Sequence, residues 1–137
     1  MAGATYPSNI RTLTVKDGVL PKIGHLLNYD STSGSGTVDL TAATDICVYV
    51  ALDESSRDAN QDLVTSGATI TAAPVGGPMF VRINAGESLV CGQLLHVGAN
   101  GEATKTAGSN KVLGHYLGDA TTSVAATLYP VNTKQTN

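Results

Sequence analysis

The chain has no tryptophan, one phenylalanine and five tyrosines in 137 residues. So few aromatic rings are available to stack on sugars that a carbohydrate-binding module is disfavoured. Charge is scarce as well. Only 14% of residues are charged, against about 25% in an average soluble protein. The 8 basic residues are scattered singly and the formal net charge is −3. No Lys/Arg cluster follows a phosphate backbone, so nucleic-acid binding is not expected. A surface poor in charge does suit a protein that sits against other proteins, because charged residues are depleted in interface cores.

Long apolar runs are missing too. No stretch approaches the ~20 residues of a membrane helix, and no membrane partner is expected. Residues 1–7 (MAGATYP) lack both a charged n-region and an apolar h-region, so they do not read as a signal peptide. The expectation is synthesis in a cytoplasm and use there, or in a particle assembled there. The two cysteines, Cys47 and Cys91, each lie in an apolar run. The favoured reading is two free, buried thiols, with a Cys47–Cys91 disulfide as the alternative.

The motifs of chemistry are absent one by one. His25, His96 and His115 show no metal-ligand spacing. They read as polar partners on half-buried strands. Residues 58–62 (DANQD) open like a calcium loop, but Leu63 stands where Gly is needed and Thr69 where the bidentate Glu is needed. No Gly-x-Ser-x-Gly elbow, P-loop or Gly-x-Gly-x-x-Gly turn occurs. Asp53 and Glu54 are adjacent, so on a strand they point to opposite faces and cannot form a glycosidase pair. No enzyme, cofactor or metal site is expected.

Short apolar runs bounded by Gly, Asn, Asp and Pro are what the chain does contain, and these predict an all-β fold, a compact β-barrel or β-sandwich. Strands are expected at 10–15, 26–29, 46–52, 79–83, 94–97, 112–117 and 125–131. The nearly continuous apolar run 46–52 should be buried on both faces. Asp17-Gly18 and Asn100-Gly101 are strong turn pairs, and Ala103–Lys105 should return as a hairpin. Residues 31–36 and 53–63 read as loops, and 74–78 as a connector with prolines at both ends. The expected layout is an arm at 1–12, one β domain at 13–132 and a tail at 133–137, with flexible ends.

Two segments echo each other at an offset of 68 residues. Gly24-His25-Leu26-Leu27-Asn28-Tyr29 lines up with Gly92-Gln93-Leu94-Leu95-His96-Val97. Each is followed by a polar, Gly-rich stretch and then by an apolar strand, with Tyr49–Asp53 set loosely against His115–Asp119. The reading is a repeated unit with halves of about 13–73 and 78–132, each Gly allowing a sharp turn before its Leu-Leu strand.

The order Ala85-Gly86-Glu87, Cys91-Gly92-Gln93-Leu94-Leu95, Asn100-Gly101, Val112-Leu113-Gly114 and Thr127-Leu128-Tyr129-Pro130 resembles the tailed-phage capsid decoration (cement, head-stabilising) proteins. It covers about 50 residues and departs at Gln93, where those proteins usually carry an acid. The resemblance implies a homotrimer on the outside of the virion, assembled in the host cytoplasm, that bridges neighbouring major capsid proteins after head expansion. Tyr6, Pro7, Ile10 and Arg11 are the capsid-contact candidates, as part of an arm that could add a strand. The alternatives are a β-sandwich binding module, or another virion component such as a head fibre or tail protein.

Overall fold

The computed structural model describes residues 10–30, 36–54 and 66–134. Among these the fold is all-β. The strands are β1 (Arg11–Thr14), β2 (Leu26–Tyr29), β3 (Val38–Leu40), β4 (Tyr49–Ala51), β5 (Thr69–Pro74), β6 (Gly77–Arg82), β7 (Ser88–Leu89), β8 (Leu94–Val97), β9 (Ala103–Thr104), β10 (Val112–Tyr116), β11 (Thr121–Thr122) and β12 (Leu128–Thr133). One five-stranded sheet runs β1-β5-β4-β2-β3 and a second runs β6-β12-β10-β8-β9, with β7 and β11 pairing apart. Neither sheet closes, so of the two expected forms the chain takes the sandwich and not the barrel.

The two five-stranded sheets are the same sheet built twice. Replacing β1, β5, β4, β2, β3 by β6, β12, β10, β8, β9 reproduces the strand order. The registers agree in detail. Leu26 pairs with Val50 as Leu94 pairs with His115. Ala51 pairs with Ala72 as Tyr116 pairs with Val131, and Arg11 with Ala72 as Met79 with Val131. Each half also carries a parallel bridge, Val15 to Val38 and Ile83 to Ala103. The β4–β10 correspondence is shifted by one from the sequence alignment: Val50, not Tyr49, matches His115.

Burial follows strand alternation. In β4, Val50 joins one apolar cluster while Tyr49 and Ala51 join another. That strand is therefore buried on both faces, as its continuous apolar run predicts. The larger cluster unites Val81, Leu95, Val97, Tyr116 and Val131 of the second sheet with Leu26, Cys47, Val50 and Val75 of the first half. The second half thus packs its inner face on one face of the first sheet. Burying each such side chain contributes about 1.5–3 kcal/mol.

Several sequence expectations shift. The strand expected at 46–52 is only Tyr49–Ala51, and the last strand runs Leu128–Thr133, after Ala126 turns with φ +61°. The 74–78 connector is shorter than expected: Pro74 ends β5, Pro78 lies in β6, and only Val75-Gly76 links the two strands. Pro78 is tolerated because β6 is an edge strand with one unpaired side. Arg11 and Thr12 are paired strand residues, and Thr133 is buried with its Oγ1 donating to Gly77 O. The strand region therefore extends into both segments expected to be arms. The loop residues 31–35 and 55–63 and the arm residues 1–9 lie outside the described residues.

Candidate functional surface

The groups that could do chemistry are dispersed. His25 precedes β2, and its Nδ1 accepts a hydrogen bond from the Lys22 amide at 2.9 Å. Burial, with Arg82 and Lys22 nearby, pushes its pKa down to about 4. His96 is buried in β8, and His115 lies half-buried in β10. Among the described residues no group of three His, Cys, Asp or Glu side chains could hold a metal ion. Of the aborted calcium loop, residues 58–62 lie outside the described residues. Asp53 Oδ1 accepts the Thr71 amide at 2.9 Å, and Glu54 faces Lys22 Nζ at 3.8 Å. A groove of about 290 Å³ beside Tyr29 is lined by Asp30, Asp39 and Asp45. It also holds Lys16, whose Nζ lies 3.7 Å from Asp30 and 3.6 Å from Asp39. That ammonium counters the acids at the place a cation would sit.

The two cysteines are both free, and only one is in the core. Cys47 is buried, its Sγ donating to Tyr49 O at 3.3 Å, and burial pushes its pKa up to about 12. Cys91 is exposed, which corrects the expectation of two core thiols. Its apolar neighbours mislead because the chain turns at Gly92, φ +88°.

Glu87 organises the second half in a way its sequence context did not disclose. Its carboxylate accepts the Lys105 amide at 2.5 Å, the Thr104 hydroxyl at 2.7 Å and the Asn84 amide group at 3.2 Å. Its own amide donates to Ser123 Oγ at 2.9 Å. One side chain therefore stitches the chain before β7 to β9, while its backbone holds the segment after β11.

Of the four contact candidates, Tyr6 and Pro7 lie outside the described residues. Ile10 is exposed and Arg11 opens β1 at the edge of the first sheet. Among the described residues no further strand lies along that edge, apart from the Val15–Val38 bridge just past its end. Exposed apolar residues also gather elsewhere, on the outward face of the second sheet. Phe80 of β6 is 62% exposed, Leu117 after β10 45% and Leu94 of β8 38%. Cross-strand pairing joins Phe80 to Pro130 and Leu94 to His115, and partners across a sheet share a face. Sequence alternation marked Phe80 as a strand residue. It did not tell the outward face from the inward one, because both carry apolar residues.

No protein-family model matches the chain, and no curated protein matches it. Among solved structures it is similar to the N base of the head fibre protein gp8.5 of bacteriophage phi29, with a TM-score of 0.64 at 18% identity, covering 93% of this chain and 96% of the other. At that identity the likeness is one of fold, and it spans both β halves almost end to end.

Proposed function

We propose that this chain is a structural component of a tailed-phage head, a base-like β module seated on the outside of the capsid. The observation that carries this reading is the fold likeness to a phage head-fibre base across nearly the whole of both chains. The Gly86–Leu117 sequence pattern supports it from a second direction. Seating a module needs no reacting group, only a stable scaffold and a contact surface. The major capsid protein is the proposed partner. Ile10 and Arg11, at the open edge of the first sheet, are its proposed contacts together with Tyr6 and Pro7. Assembly as a homotrimer would multiply weak contacts into avidity and close on itself.

A head-fibre base is preferred over a cement subunit, although the cement resemblance led from sequence. The residues carrying that resemblance are largely corners of the fold. Gly86 and Gly92 turn with φ of +83° and +88°, Gly114 lies inside β10 at a register shift where a Cβ would strike Asn132 O, and Glu87 is the stitch described above. The pattern therefore reports the β unit, and a fibre base would need it equally.

The test is co-sedimentation of purified protein with heads from which its gene has been deleted. Saturable binding at fixed copy number is expected, and absence of binding would remove the reading. Deleted heads that keep their DNA under heat and osmotic shock favour a fibre base. Heads that rupture favour cement.

A further inference from the structure

We infer that the outward face of the second sheet, centred on Phe80, Pro130, Leu117 and Leu94, is where copies of this chain meet one another. The inference deepens the homotrimer reading above and shares its premise that copies associate.

The chain contains its own control. Because the sheet is built twice, each outward position has a counterpart in the first half. Phe80 corresponds to Thr12 and Pro130 to Thr71, by the shared registers of β6 with β12 and β1 with β5. Thr12 is exposed and Thr71 half-buried. The fold is satisfied by threonine there, yet the second half carries a phenylalanine that is 62% exposed, beside a proline. Exposing a large ring gains nothing for a lone chain, and threonine suits an open strand face as well. The proline is also allowed for a reason the first half displays. The Thr71 amide makes its hydrogen bond to the Asp53 side chain, so losing the matching amide at Pro130 removes a side-chain contact.

The other end of the face points the same way. Leu94 and His115 correspond to Leu26 and Val50. Leu26 and Val50 are both 0% exposed, because the second half of the chain packs over them. Leu94, by contrast, is 38% exposed among the described residues. In the first half a β unit of this same fold covers that end of the sheet. A second copy supplies such a unit.

Charge selects the same partner. The chain carries a net −3, so copies repel wherever their charged surfaces face each other. Phe80, Pro130, Leu117, Leu94 and Asn132 carry no charge. Arg82, the nearest fixed charge on β6, is turned toward the first half, its Nε donating to Ile23 O at 2.8 Å. Apart from His115, this is a patch without ionisable side chains, carrying an aromatic at its β6 edge, and a charge-poor, aromatic-bearing surface is the composition of an interface core.

The test is analytical ultracentrifugation of the whole chain at ~1–100 μM, with folding checked by circular dichroism. Phe80→Thr reproduces the first half's residue and should fold normally. Wild type is expected to associate, Phe80→Thr to dissociate at least about tenfold more readily, in line with loss of a buried ring, and Phe80→Asp to be monomeric. Val124→Asp, a control at an apolar position that is 59% exposed and away from this face, is expected to associate like wild type. A wild-type oligomer unchanged by Phe80→Thr and Phe80→Asp overturns this face and leaves trimerisation standing. A wild-type monomer across the range overturns the face and the trimer together. Head co-sedimentation, run separately, decides whether the proposed head role survives either result.

Discussion

Gly24 and Gly92 stand 68 residues apart and take the same backbone conformation, φ +87° and +88°. Each donates its amide to the strand that returns beside it, Gly24 to Ala51 O at 2.9 Å and Gly92 to Tyr116 O at 2.8 Å. They are one corner made twice, in different surroundings. A Cβ on Gly92 would meet nothing within 4 Å, whereas one on Gly24 would lie 2.3 Å from Leu128 Cδ2 and 3.3 Å from the Arg82 amide nitrogen. Gly24 is where the second half rests on the first, since its carbonyl also accepts the Arg82 amide at 2.9 Å.

Alanine at the two positions separates these effects. Gly92→Ala should destabilise by about 1–2 kcal/mol, the cost of a left-handed conformation with a Cβ. Gly24→Ala should add about 1–2 kcal/mol for displacing Leu128 and the β6 backbone. Urea unfolding of both variants checks the order. Equal losses would mean that the halves do not press together at Gly24.

Removing the Glu87 carboxylate should leave the Lys105 amide and Thr104 hydroxyl without their acceptor. Glu87→Ala is expected to lower stability by about 2 kcal/mol, in the range for hydrogen bonds to a charged group. Glu87→Gln keeps one acceptor oxygen and should lose less. Chemical denaturation compares them. A change under about 0.5 kcal/mol for alanine would contradict the stitching role.

The thiols should react very differently. Cys91 is exposed, while Cys47 is buried with its pKa pushed up to about 12. The thiolate is the reactive form. An aromatic disulfide reagent at pH 8 should therefore titrate one thiol in the native protein and both in denaturant. Two fast thiols in the native state would contradict the packing around Val50 and Val81.

Acid should weaken the fold through His25. Its pKa falls from 6.5 unfolded to about 4 folded, so between those values the unfolded chain binds more protons and stability drops as pH falls. The contribution is fully present above about pH 6.5 and is lost by about pH 4. The site is partly open to solvent, so the loss is set at about 1–2 kcal/mol rather than the ~3.4 kcal/mol of the full shift. Thermal melts at pH 7 and 4.5 should show a larger drop for wild type than for His25→Gln. Equal drops in the two proteins would count against this role for His25.

The sequence disclosed the fold where chemistry is concentrated in few residues. Leu26–Tyr29 and Leu94–Val97 were read with their full bounds, because a Leu-Leu pair behind a corner glycine is compact and recurs. Thr69–Pro74 was missed, since the residues it buries after Ile70 are alanines, Ala72 on the same face and Ala73 on the opposite one. Small side chains produce little hydropathy contrast even when fully buried. The duplication was visible only near the two glycines. Beyond them loop lengths differ, and the offset falls from 68 at β2–β8 to 65 at β4–β10 and 59 at β5–β12. The outward face of the second sheet was not legible, because telling one face from the other requires knowing what packs on each.

The proposed head role is tested most directly by cryo-electron microscopy of phage heads assembled with this gene intact and with it deleted. The difference map should show added density on the outer surface of the head, at symmetry-related positions, into which the two-sheet fold docks. Difference density confined to the tail, or particles lacking the protein altogether, would contradict it.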